Sequence, residues 1–122
     1  MNFDWKEYLD LAQELAGRGA MGSTEEARLR SAISRAYYAS YGKARSQSSA
    51  PPNFVGSEHT FLWNQFKNSS NLTRKEIGTE GSRLRRDRNL ADYEDVVTTL
   101  PSLAAKALVR SGKILNLLKK LP

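Results

Sequence analysis

Cysteine is missing from this 122-residue chain, and histidine occurs once, at position 59. The first absence excludes disulfides and thiolate metal sites. The second leaves too few ligands for a His-based metal centre, so no metal or cofactor is expected. Long apolar runs are also lacking: none approaches the roughly 20 residues of a membrane span. The opening Met1-Asn2-Phe3-Asp4-Trp5-Lys6-Glu7 is charged and has no apolar segment of the secretory kind. The expectation is a cytoplasmic protein without a membrane partner. No stretch sustains strand alternation, and no internal repeat is present. The glycines make neither a P-loop nor a G-x-G-x-x-G pattern. The aromatic residues do not interleave with basic ones as in a stacking platform.

What is present is charge and helical periodicity. Lysine and arginine total 19 against 13 acidic residues, a net charge of +6. That balance favours a polyanionic partner such as RNA or DNA, although many basic proteins bind no nucleic acid. The length suits a single domain over residues 1–122 with a modest core. Trp5, Leu9, Ala12, Leu15 and Ala16 recur at helical spacing, predicting an amphipathic helix over residues 3–16. Gly17, Gly19 and Gly22 end it, and Ser23 with Glu26 fits a capping box for the next. The second helix is predicted over 24–46, with Leu29, Ile33, Tyr37 and Tyr41 on one stripe and Ala32, Ala36, Ala39 and Ala44 small enough for close helix approach. After a polar, Pro-containing loop, Ser57 is a possible cap for a short helix through Phe66. A fourth helix is expected from Thr79 to Glu94, capped by Thr79 or Ser82. The last runs over 100–120, with Pro101 in its first turn, an apolar stripe from Leu100 to Leu118, and Arg110, Lys113, Lys119 and Lys120 on the other side. The fold class read from this pattern is all-α: a four- to five-helix up-and-down bundle.

The densest signal is Arg83-Leu84-Arg85-Arg86-Asp87-Arg88-Asn89-Leu90-Ala91-Asp92-Tyr93-Glu94-Asp95. On a helix Leu84 and Ala91 share one face, and Arg88 lies on it. A guanidinium on a core-facing stripe is costly unless paired, and Asp92, one turn on, is a possible partner. A second segment, Arg28 to Ala39, puts Arg28, Arg35 and Tyr38 on one broad face with Ser31 and Ser34 close by. It reads either as a polar seam that meets Arg88 or as a solvated face, whereas Tyr37 continues the core stripe. His59 is the one side chain with an ordinary pKa suited to proton transfer near neutrality. Its position at a helix start favours a local polar contact over catalysis. Ser31 and Ser34 have no histidine nearby in sequence, so a nucleophilic triad is unsupported.

The pairing of Arg-Ser-Ala-Ile-Ser-Arg-Ala-Tyr-Tyr-Ala-Ser-Tyr (30–41) with Leu-Arg-Arg-Asp-Arg-Asn-Leu-Ala-Asp-Tyr-Glu-Asp (84–95) resembles the HEPN superfamily of small bacterial and archaeal helical proteins. The resemblance extends over residues 5–118 in helix order and spacing. It implies an up-and-down bundle that dimerises, and a setting among metal-independent ribonucleases, toxins and defence components, often beside a nucleotidyltransferase partner. The family signature is an arginine, commonly followed by a polar residue, then about four to six residues and a histidine. Arg88 matches the arginine and Asn89 the polar residue, but the histidine position holds Tyr93. These three are the motif positions of a catalytic or binding core. A tyrosine, with an ordinary pKa near 10, is a poor base at neutrality. The resemblance therefore implies a binding site more directly than a nuclease. The expected role is a noncatalytic or weakly catalytic homodimer that binds RNA or a nucleotide in a defence or toxin–antitoxin context. Arg35 and Tyr38 would line the site, and Arg83, Arg85 and Arg86 would attract phosphate. The alternatives are an active ribonuclease, with Tyr93 or His59 in place of the usual histidine, and a structural dimerisation module whose Arg88–Asp92 pair sets helix register.

Overall fold

A computed structural model describes residues 3–17, 24–48 and 55–122. These form five α-helices: α1 (Lys6–Gly17), α2 (Glu25–Gln47), α3 (Glu58–Lys67), α4 (Leu72–Tyr93) and α5 (Leu100–Lys119). No strand occurs among the described residues. The all-α bundle expected from periodicity is what the chain forms.

Helix α2 is the centre. It packs against α1, α4 and α5, and α3 pairs mainly with α4. Its inward face carries Ala32, Ala36, Ala39 and Ala44, all fully buried, so neighbouring backbones come close. At the α2–α5 contact the hydroxyls of Ser40 and Ser111 lie 2.8 Å apart, and Ser111 donates to the Ala36 carbonyl at 2.8 Å. Both polar atoms are thereby satisfied inside the core. Tyr37, Trp63, Phe66, Ile77, Leu84, Ile114 and Leu118 fill the remaining interior.

The caps explain where the helices begin. Thr24 Oγ1 accepts from the Ala27 amide at 3.1 Å and caps α2, whereas the Ser23 position of the expected capping box lies outside the described residues. Ser57 caps α3 as its type predicts, accepting from the Thr60 amide at 3.2 Å. The start of α4 differs from expectation. It begins at Leu72, capped by Asn71 Oδ1 on the Arg74 amide at 2.9 Å, and Thr79 and Ser82 lie well inside it. Gly78 and Gly81 each lower helix propensity by about 1 kcal/mol against alanine, which makes this stretch look like a boundary. Packing overrides propensity here. A Cβ on Gly81 would collide with the Trp63 indole, and one on Gly78 would fall 2.7 Å from the Trp63 carbonyl and closer still to the Lys67 amide nitrogen. The glycines are where α3 crosses α4.

Gly78→Ala is accordingly expected to destabilise the fold despite the gain in propensity. Its neighbours are backbone atoms of α3, so the helices must separate, at a cost of about 1–3 kcal/mol. Chemical denaturation should show a lower midpoint; a stabilised variant would mean that α3 does not sit against this turn.

Two polar ties hold α4 in place. On the α5 side, Arg110 reaches Glu80 through Nε at 3.0 Å and Asp87 through an Nη at 2.8 Å. Arg110 was expected on the solvent-covered side of the last helix. It turns inward because two largely buried carboxylates there need a counter-charge. On the α2 side, the Arg30 guanidinium donates to the carbonyls of Ala91 (2.8 Å), Glu94 (2.6 Å) and Asp95 (3.1 Å). Helix α4 has no glycine at its end, and its last carbonyls lack amide partners. A cation from α2 takes their place.

Candidate functional site

Helices α2, α3 and α4 bring the marked residues to one place. The site is built around Arg88 in the penultimate turn of α4. Its side chain is 14% exposed and Nε donates to Asp92 Oδ2 at 2.7 Å, the pairing its spacing suggests. One Nη donates to Asn89 Oδ1 at 3.2 Å and the other to the Tyr93 hydroxyl at 3.1 Å. Ser34, from α2, donates to the same Asp92 oxygen at 3.3 Å. Three of the guanidinium's five N–H donors are engaged in this way.

Aromatic faces surround the cation. The Arg88 guanidinium carbon lies 5.2 Å from the Tyr38 ring, 5.3 Å from Tyr93 and 5.8 Å from Tyr37. Each such contact favours the charged form and contributes up to about 1–2 kcal/mol when water is excluded. Burial alone would weaken the charge, but Tyr38, Asp92 and Tyr93 more than offset it, and the Arg88 pKa is raised. The Tyr38 ring is shared: Arg35 lies 5.3 Å from it, and 5.0 Å from Tyr8 of α1. The alternating Arg35–Tyr38–Arg88–Tyr93 stack joins α2 to the end of α4.

The expected motif positions thus meet. Arg88, Asn89 and Tyr93 are in mutual contact through the guanidinium, and Tyr38 and Arg35 adjoin them. The flanking arginines divide. Arg85 is held by Thr60 Oγ1 at 2.6 Å and Ser57 Oγ at 3.3 Å, which ties α4 to the start of α3. Arg83 pairs with Glu80 at 3.0 Å on the α5 side. At 100° per residue, Arg83 and Arg86 project about 140° and 160° away from Arg88 around the helix, so neither lines the Arg88 cluster.

His59 joins the cluster from α3, as sequence order does not reveal. Trp63 Nε1–H donates to the Tyr37 hydroxyl at 3.0 Å, and that hydroxyl lies 2.6 Å from His59 Nδ1. The imidazole stacks on Tyr41 with centroids 4.1 Å apart and planes 14° apart. Burial lowers the His59 pKa, and the positive charges of Arg85 and Arg88 lower it further. Burial likewise pushes the Tyr37 hydroxyl up, well beyond any role as a base at neutrality. The local polar contact expected for His59 is present, but it lies at the site rather than apart from it. Tyr37 is core, as its stripe indicates, and also supplies a ring face to Arg88 and a hydroxyl to His59. No local pattern links Tyr37 to His59, which is 22 positions away.

Chemically, the arrangement is a rigid cation with aromatic walls, flanked by amide, hydroxyl and imidazole groups. It suits an oxyanion, above all one that can accept two parallel N–H bonds. Among the described residues no three His, Cys, Asp or Glu side chains gather as metal ligands, and no helix is long and apolar enough to cross a membrane. No protein-family model, curated protein or solved structure matches this chain.

Proposed function

We propose that the protein is a HEPN-like binder of RNA or a nucleotide that takes a phosphate on Arg88 and has little or no nuclease activity. In this reading it works as a cytoplasmic homodimer with the Arg88 helices near the two-fold, in a defence or toxin–antitoxin setting with a nucleotidyltransferase or another protein of the system as partner. The observation that carries the reading is the state of Arg88. Its guanidinium is largely buried, held at Nε by Asp92, walled by three tyrosine rings, and still has two N–H donors for a ligand. A side chain that only set helix register would need the Asp92 contact and none of the aromatic cradle. Asn89 and Tyr93 complete the group at the motif positions. Tyr93, 69% exposed, is accessible to whatever Arg88 binds.

The runner-up is a metal-independent ribonuclease. It is favoured by the presence of His59 beside the Arg88 cluster, and disfavoured because burial and the charges of Arg85 and Arg88 hold that imidazole away from protonation and burial holds the Tyr37 hydroxyl neutral.

Labelled single-stranded RNA, titrated with the protein at increasing salt, separates the readings. Affinity should fall with a log–log slope of about 0.7 for each phosphate neutralised on a single strand. Absence of salt-sensitive binding at low ionic strength would leave the dimerisation module. Cleavage by the unaltered, nuclease-free protein would make it the ribonuclease. Tyr93→His restores the family's histidine and should introduce cleavage if the geometry survives.

A further inference from the structure

Histidine 59 has one nitrogen with a fixed partner and one without. Nδ1 faces the Tyr37 hydroxyl at 2.6 Å. Nε2 has no hydrogen-bond partner among the described residues and is not closed off from solvent. The direction of the chain that ends on Nδ1 is set at its other end. An indole N–H can only donate, so the Tyr37 oxygen accepts from Trp63 Nε1 at 3.0 Å. The Tyr37 hydroxyl then has its own proton to donate, and His59 Nδ1 is its only acceptor within reach among the described residues. With Nδ1 as acceptor, the proton of a neutral imidazole belongs on Nε2. Stacking on Tyr41 fixes the ring plane. Tyr37 and Tyr38 lie close to both His59, at centroid distances of 5.6 and 6.1 Å, and the Arg88 guanidinium carbon, at 5.8 and 5.2 Å.

We propose that His59 is a fixed hydrogen-bond donor of the Arg88 site, offering Nε2–H to a phosphate oxygen of the bound RNA or nucleotide, with Trp63 and Tyr37 setting its tautomer. The proposal rests on the reading of Arg88 as the phosphate-binding group. It gives the site a second donor, from a different helix, and assigns the histidine a recognition role in place of proton transfer. The charges facing His59 agree. Arg85 and Arg88 of α4 and Arg45 of α2 oppose a second proton on the ring, and Glu58, its neighbour on α3, favours it. Protonating Nδ1 would also leave the Tyr37 hydroxyl with two donors aimed at it and no acceptor for its own proton. Burial keeps the Tyr37 and Tyr41 hydroxyls neutral throughout this range.

Because His59 is the sole histidine, nitrogen-15 spectra of the imidazole read its state directly. At about pH 7 they should show a bare Nδ1 and a protonated Nε2. Tyr37→Phe, which removes the donor to Nδ1, should give a mixture of tautomers. An Nδ1–H tautomer or an imidazolium in the unaltered protein would overturn the proposal. With labelled single-stranded RNA as probe, His59→Phe keeps the stacking and removes the donor. It should weaken binding about three- to tenfold with the thermal midpoint checked alongside, while His59→Gln, which restores an N–H donor, should recover part of the loss. RNA affinity should not rise as pH is lowered from about 7.5 to the ordinary histidine value near 6.5; a rise removed by His59→Phe would mark a cationic imidazole and overturn the proposal. If Arg88→Ala weakens binding and His59→Phe does not, the donor role fails alone. If Arg88→Ala leaves affinity unchanged, the reading of the site fails and the ligand role of His59 with it, whatever the tautomer.

Discussion

Replacing Arg110 by alanine is expected to lower stability by about 2–4 kcal/mol, because it strips the counter-charge from two largely buried carboxylates. The side chains of Glu80 and Asp87 are each 11% exposed, and Arg110 is the counter-ion for both. Without it Glu80 keeps Arg83 at 3.0 Å, but Asp87 keeps no direct ion pair among the described residues. For a chain of this size the loss corresponds to a fall in Tm of roughly 10 °C. The pH dependence carries a definite sign. Burial already raises the Asp87 pKa, and Arg110 is the main influence holding it down. Removing Arg110 raises it further above the unfolded value near 3.9. The folded variant then binds the Asp87 proton more readily than the unfolded chain does. Its deficit is complete above the raised pKa and shrinks as pH falls through that value towards 3.9. Adding Asp87→Asn to Arg110→Ala should recover much of the loss at neutral pH. Thermal melts of both variants and the parent across this range test the account. An unchanged midpoint for Arg110→Ala, or a deficit that widens in acid, would contradict it.

The second large effect concerns ligand rather than fold. Arg88→Ala should weaken binding of single-stranded RNA about tenfold to a hundredfold, the worth of a charge-assisted contact of roughly 1.5–3 kcal/mol. Stability should change much less. The Asp92 side chain is 22% exposed, retains Ser34 as a donor, and can be solvated where it stands. The opposite pattern, a large drop in midpoint with unaltered affinity, would identify Arg88 as a structural ion pair. Arg88→Lys separates charge from shape. A lysine keeps the cation but cannot hold Asp92, Asn89 and Tyr93 at once or present two parallel donors, so it should recover only a minor part of the affinity.

Much of this arrangement is legible in the linear sequence, and the limits are physical. Leu84, Arg88, Ala91 and Asp92 follow from one helical period, and so does their meeting. Leu29, Ile33, Tyr37 and Tyr41 likewise declare the inner face of α2. The start of α4 is not legible, because Gly78 and Gly81 carry opposite meanings locally and in the fold: weak helix formers by propensity, yet the only side chains small enough where Trp63 and the α3 backbone cross. Arg110 is misplaced by the same reasoning that places its neighbours, since periodicity cannot say that two carboxylates on another helix wait beneath it. His59 belongs to the site through Tyr37 and Trp63, contacts spanning 22 and 26 positions that leave no mark on any short window. The split among Arg83, Arg85 and Arg88 shows how an arginine-rich run can look like one patch while its members reach three different neighbours.

The Arg30 cap has a consequence for how the site opens. Helix ends ordinarily fray first, since their last carbonyls are held by nothing in the helix itself. Asp92 and Tyr93 occupy that vulnerable position, and yet the carbonyls of Ala91, Glu94 and Asp95 are fastened to a residue of the second turn of α2. The final turn of α4 therefore cannot unwind without releasing α2. Its backbone amides are expected to exchange with those of α2 instead of as a breathing terminus, which hydrogen exchange can read, and Arg88 is held in place by the same fastening.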